Sequence, residues 1–393
     1  MTPALQSSNT AEKQLLVLCA RTRVSSETAN EIRRILAGPL DWDYLIAESL
    51  ENSVAPLFCR QLRALAWSSV PSERQEKLAT IERSLAVRAM FLTAELLRLL
   101  DAFKDSGVRA IPYKGPVLAA QAYGDFTARE FEDLDLILPQ RDMPSANEVI
   151  VSFGYKPKFD WMLSRDAETT LVPGEYNYRD VPRNAMIELH TEKTLRHFPM
   201  PANVDSFFSK LVPIRLAERD VMTFAPEELL TMLCIHGSKD FWERLSWIAD
   251  VSELVRSQAS FDWPRAWHFA ESQRAARMVR VGLALAVSLF ETPLPPDTLT
   301  AVRKDTVASD LANSVARRLV QRPFVTLSGT GRFAFRRKMQ PGGINSWKYA
   351  MRLAVVPADE DWQMVKLPPA LAPLYVALRP IRLLRKYGWG SSK

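Results

Sequence analysis

Apolar side chains recur at i, i+3, i+4 and i+7 through "TIERSLAVRAMFLTAELLRLLDAF", residues 80–103, and less regularly from about residue 10, which predicts a helical region over residues 1–105. The period breaks at "KDSGVRAIPY". Gly107 is placed to stop the helix, and Val108 to Tyr113 reads as a strand running into Lys114 and Gly115. Pro116 suits the first turn of a further helix, where its missing N–H leaves no bond unmade, and that helix ends at Gly124. "EDLDLILP" reads as a strand closed by Pro139, "SANEVIVSFGY" as a helix and "NAMIELHTE" as another alternating strand. Helical periodicity returns in "FAPEELLTMLCIHGSKDFWERLSWIADVSELV", with Pro226, Glu227 and Glu228 marking its start, and continues to about Arg322. The expected class is α+β: helices over residues 1–105, a small α/β core over 106–225, a second helical domain over 226–325 and a basic arm over 326–393.

The alternation in "EDLDLILP" puts Asp133 and Asp135 on one face of the strand and Leu134, Leu136 and Leu138 on the other. Leucines packed on a core turn the aspartates to the opposite surface. Two adjacent carboxylates there repel each other and favour a proton or a cation between them. Mg2+ suits them, because it takes oxygen ligands and keeps waters that substrate phosphates can replace. Glu188 alternates with Ile187 and Leu189 in the later strand and supplies a third acid if the two strands pair. Two acids on an exposed edge strand are, alternatively, a device against aggregation. The preceding strand, glycine turn and helix start would present free backbone N–H groups to a phosphate. Lys114 is either a cation serving that turn or a solvent-facing turn lysine.

The chain of 393 residues is long enough for two or three domains, and 47% hydrophobic with 24% charged residues is an ordinary globular profile. Cys19, Cys59 and Cys234 have no metal-ligand spacing and read as reduced core thiols of a cytoplasmic protein. "QLLVLCA" is too short for a signal-peptide core, and "VGLALAVSLF" falls well short of the roughly 20 residues that span a bilayer. The net charge of +6 is uneven. From Ser328 onward twelve Lys or Arg face Asp359, Glu360 and Asp361, so that tail carries +9 and the first 327 residues carry −3. A nearly neutral body argues against long nucleic acid as substrate. The tail, with Arg379, Arg382, Arg385 and Lys386 among apolar residues, suits weak contact with an acidic membrane surface. Pro373 and Pro380 interrupt it, so docking on the protein's own body is the preferred expectation.

The segment "YKGPVLAAQAYGDFTAREFEDLDLIL", residues 113–138, resembles the bacterial uncharacterised nucleotidyltransferases, a family within the polymerase-beta-like nucleotidyltransferase superfamily. The family's Lys-Gly turn, Tyr-Gly-Asp helix end, arginine and Asp-x-Asp strand fall on Lys114, Gly115, Tyr123, Gly124, Asp125, Arg129, Asp133 and Asp135. "IELHTE" is similar to its acid-x-His strand, at Glu188 and His190. "CIHGSKDFWERLSWIADVSELV" is similar to its helical motif, at His236, Lys239, Trp242 and Asp250. The tail resembles it too, so the likeness runs from about residue 90 onward. Three features depart from the wider superfamily: Lys-Gly in place of Gly-Ser, a longer gap from the turn to the first Asp, and Glu188 where Asp is usual.

The resemblance implies a small mixed β-sheet nucleotidyltransferase core flanked by N- and C-terminal helical domains. It also implies a Mg2+ (or Mn2+) enzyme that moves a nucleoside monophosphate from an NTP such as ATP to a hydroxyl of a small molecule, peptide or protein, releasing pyrophosphate. Asp133, Asp135 and Glu188 would hold the metal, with Glu188 alternatively a general base. Lys114, Gly115, Arg129 and Lys239 would contact nucleotide or phosphate, although Arg129 suits equally an ion pair with Glu130 or Glu132. Lys193 is a further candidate. His190, on the strand face of Glu188, would orient a group of the site; His236 is a second supporting candidate, although on an apolar helix face it suits the core, as do Trp242 and Trp247. Two other readings stay open: a nucleotide- or partner-binding module without catalysis, and a helical scaffold in which the acid strand is incidental.

Overall fold

The computed structural model describes residues 11–158, 175–191 and 204–322, together with 324–340 and parts of 342–387. The chain forms two compact units that alternate along the sequence. The first comprises Met1–Thr93, Lys114–Glu132 and Val212–Met339; the second comprises Ala94–Tyr113, Asp133–Leu211 and Gln340–Lys393.

The first unit is mainly helical. The early periodicity resolves into helices Ala11–Cys19, Ser26–Leu36, Trp42–Glu51 and Ala55–Ala66. Ser25 and Asp41 cap the second and third, their side chains accepting from the Thr28 and Tyr44 N–H groups. The long helix Ser72–Asp105 then carries the chain into the second unit and stops before Gly107, whose φ of 72° gives the left-handed turn expected of it. Residues 226–257 form two helices, Pro226–Lys239 and Leu245–Ser257, parted at Phe241 and Trp242, which both take positive φ (61° and 54°). Packing holds this strained pair. Trp242 is fully buried, and its ring closes on Gly237 and on Gly282 of helix Ala276–Phe290. Helices continue through Thr306–Val320, as the periodicity predicts. The hairpin of Leu211–Leu216 with Arg219–Phe224 is not expected from the sequence. Its turn residues Ala217 and Glu218 adopt positive φ without the Asn or Gly that normally signals such a turn.

The second unit is built on a five-stranded mixed sheet of order β1-β2-β5-β4-β3. The strands are β1 (Ile111–Pro112), β2 (Asp133–Ile137), β3 (Lys156–Pro157), β4 (Glu175–Asp180) and β5 (Ala185–His190). β2 runs parallel to β5 and antiparallel to β1, and β4 is antiparallel to both β5 and β3. Because β2 has a neighbour on each side, its acids do not serve as an edge-strand device. Alternation sorts the residues into two faces. Leu134, Leu136, Ile187, Leu189, Tyr176 and Tyr178 are buried on one, where the Tyr178 hydroxyl donates to Asn147 of helix Met143–Ser152 at 3.0 Å. The other face is polar. Of the stretch Val108–Tyr113, only Ile111 and Pro112 are strand.

Among the described residues no helix is long and apolar enough to cross a membrane. The three cysteines are free and buried.

The Trp242 packing makes a direct prediction. A β-carbon at Gly237 would meet the Trp242 ring at 2.5 Å. Gly237→Ala should therefore lower stability in urea unfolding by about 1–3 kcal/mol, whereas in an open helix the same change would raise it by about 1 kcal/mol.

Candidate active site

The register of β2 on β5 builds the site. Asp133 pairs with Met186, Asp135 with Glu188 and Ile137 with His190. Paired residues of parallel strands project to the same side, so Asp133, Asp135, Glu188 and His190 converge on the polar face. His190 Nε2 lies 3.0 Å from Asp135 Oδ1 and 3.8 Å from Glu188 Oε2. Its ring meets Tyr113 edge-on, with centroids 5.8 Å apart. The Tyr113 N–H in turn donates to the Asp135 carbonyl at 3.3 Å. Asp135 and His190 are 3% and 6% exposed; Asp133 and Glu188 are half-buried. Burial pushes the Glu188 carboxyl up to about 7; the Asp135 carboxylate adds to the shift, His190 opposes it, and Asp133 and Glu175 add smaller pushes.

β4 contributes two groups absent from the sequence-based candidates. Glu175 pairs with His190, and Asn177 with Glu188, on the same polar face. The Asn177 Oδ1 is sealed from solvent and accepts no hydrogen bond among the described residues. The signal was available in "EYNYRD", where Glu175 and Asn177 alternate with two tyrosines.

The donor set fits a divalent cation. Asp135, Glu188 and His190 each offer a ligand atom, all within 4.8 Å of one another. Two donors each about 2.1 Å from one ion are about 3 Å apart at right angles. The separations here are 3.0 Å and 3.8 Å from the histidine to the two acids.

The remaining described candidates belong to the first unit. Lys114 is only 7% exposed, so the solvent-facing alternative does not hold. It precedes Gly115, whose φ of 57° favours glycine, and the short helix Gly115–Leu118. Arg129 makes a two-pronged ion pair with Asp250, Nε on Oδ1 at 2.8 Å and Nη2 on Oδ2 at 3.0 Å. Its two-pronged partner is thus Asp250, and the Arg129 charge also acts on the Glu130 carboxyl. The Tyr123 hydroxyl donates to the same Asp250 at 2.8 Å. Lys239 ends its helix, with its carbonyl accepting from Arg336 at 2.9 Å. His236 is partly exposed rather than core, edge-on to Trp247 at 5.1 Å and with Nδ1 3.6 Å from Asp240. Lys193 lies outside the described residues.

The profile of the uncharacterised nucleotidyltransferase family matches residues 38–291, more than half of the chain, and the chain belongs to that family. The match starts earlier than the motifs suggest and ends before the basic tail. No curated protein matches. A solved structure, an antigenic nucleotidyltransferase-like protein from Paracoccidioides brasiliensis, is similar at 14% identity and a TM-score of 0.33, covering 56% of this chain and 91% of that one.

Two outcomes follow. Removing Asp250 strands the Arg129 charge in a buried place, so Asp250→Ala should cost about 3–5 kcal/mol in urea unfolding. Glu188 ionises near 4.5 when unfolded and near 7 when folded, so the native state holds the extra proton between those values. The metal-free protein should therefore be most stable at the acid end of that window and lose up to about 3 kcal/mol as pH rises through 7. In Glu188→Gln the loss should largely vanish, read as urea midpoints at pH 5 and 7.5.

Proposed function

We propose that the chain is a Mg2+- or Mn2+-dependent nucleotidyltransferase that moves a nucleoside monophosphate from an NTP to a hydroxyl of a small-molecule, peptide or protein acceptor. The observation that carries this reading is the register that sets Asp135 beside Glu188, with Asp133 and His190 on the same face. Family membership supplies the NTP as donor class.

A divalent ion bound here would supply positive charge to the triphosphate and to the α-phosphate as it is attacked. Asp133 and Asp135 offer it carboxylate oxygens, with the His190 imidazole beside Asp135 at 3.0 Å. Glu188, with its raised basicity, accepts the proton of the acceptor hydroxyl near neutral pH. The acceptor oxygen then bonds to the α-phosphorus, the bond from that phosphorus to the bridging oxygen breaks, and pyrophosphate leaves with the electron pair. Lys114, the Gly115 backbone and Lys239 are the phosphate contacts of this reading. Arg129 acts through Asp250 to order the chain ahead of β2.

The test is pyrophosphate release from each of the four NTPs with Mg2+ or Mn2+ and a panel of hydroxyl acceptors. Asp135→Asn, folded by circular dichroism, should lower turnover by about a hundredfold or more. Turnover that survives this substitution or complete chelation would sink the reading. NTP binding without turnover across the panel would favour a binding module instead.

A further inference from the structure

A nucleotidyl-transfer site of carboxylates alone offers hard oxygen donors, the set that suits Mg2+. This polar face differs, because a buried imidazole stands among its acids. We infer that His190 Nε2 is itself a metal ligand beside Asp135 and Glu188, and that this mixed nitrogen and oxygen set makes the site prefer Mn2+ over Mg2+. The inference rests on the metal-dependent reading above and adds the identity of one ligand and the metal it selects.

Four observations carry it. First, Nε2 faces two carboxylates, at 3.0 Å and 3.8 Å, whereas orienting Asp135 would need only one acceptor. Second, the three ligand atoms lie within 4.8 Å of one another, in reach of a common ion. Third, His190 is the partner of Ile137 in the β2–β5 register, one step beyond the pair Asp135–Glu188 on the same face, so the backbone aims the ring at the acids. Fourth, Asn177, whose Cα pairs with that of Glu188, keeps a side-chain oxygen sealed from water with no donor to satisfy it among the described residues. A buried acceptor of this kind is costly to leave unmet, and a cation can meet it.

Imidazole binds first-row divalent metals readily, whereas Mg2+ is held chiefly through oxygen. Manganese also gives a direct signal, because a coordinated histidine nitrogen couples to its unpaired electrons. The chain has four histidines, which keeps assignment simple.

The experiment uses the full-length, tag-free protein with Mn2+, without nucleotide and in a nitrogen-free buffer. Pulsed electron paramagnetic resonance should show nitrogen coupling in the wild type and none in His190→Gln. The glutamine can still donate an N–H toward Asp135 but has no imidazole nitrogen to coordinate. Mn2+ affinity should fall on the order of tenfold or more in that variant while Mg2+ affinity changes less than about threefold. Mn2+ bound in the wild type without nitrogen coupling overturns the inference and leaves the transferase reading standing, and it does so without any variant. A wild-type protein that binds neither Mn2+ nor Mg2+ by calorimetry overturns both.

Discussion

The parallel pairing that sets Asp135 against Glu188 is the constraint on which the site depends, and it works against the stability of the fold. Two carboxylates on adjacent strands repel, and burial makes Glu188 harder to ionise. What imposes the register is the other face of the same strands, where Leu134, Leu136, Ile187, Leu189, Tyr176 and Tyr178 are all essentially inaccessible. Six such side chains, each worth about 1.5–3 kcal/mol on burial, outweigh a penalty of about 3 kcal/mol at Glu188. A slip by one residue would turn β2's acids into that apolar layer, so slippage is strongly disfavoured. The hydrophobic pattern therefore holds the sheet together and also holds like charges in contact.

That pattern is also what made the acids legible. Strict alternation over residues 133–136 fixed their common face before any pairing was known. The pairing itself was not legible, because strand neighbours are chosen by tertiary packing and nothing in "NAMIELHTE" states which residue lies opposite Asp135. Glu175 and Asn177 were missed although their alternation with Tyr176 and Tyr178 is as clear as that of β2. The hairpin after Leu211 escaped for a different reason: its turn forces Ala217 and Glu218 into a conformation for which side chains give no warning. His236 was misplaced because helical periodicity identifies an apolar face without saying how fully it is covered.

Arg129 shows the limit of reading a motif residue by residue. Its carboxylate partner lies 121 positions away, at Asp250, beyond the reach of any local pattern. Once the pair is seen, much of the segment from Tyr123 to Arg129 becomes scaffold. Tyr123 donates to Asp250, Gly124 turns the chain with φ of 68°, and Asp125 accepts from the Thr127 N–H and hydroxyl at 2.8 Å and 2.7 Å. A buried two-pronged pair adds little net stability once desolvation is counted, but it admits a single geometry. Its contribution is to fix the path of the chain within the first unit.

The third acid being glutamate then has a physical account. Asp135 and Glu188 leave paired backbone positions, so two aspartates would bring their carboxylates to the same depth and both would be fully enclosed. The additional methylene carries Glu188 outward: its side chain is 20% exposed, against 2% for Asp135. The shorter acid is the one nearer the His190 ring nitrogen, at 3.0 Å, while the longer one reaches toward solvent with its basicity raised. In the proposed reaction the enclosed acid belongs with metal binding alone, and the accessible acid serves the acceptor hydroxyl as well. An aspartate at position 188 would lose that separation, because its carboxylate would be drawn back toward the enclosed one.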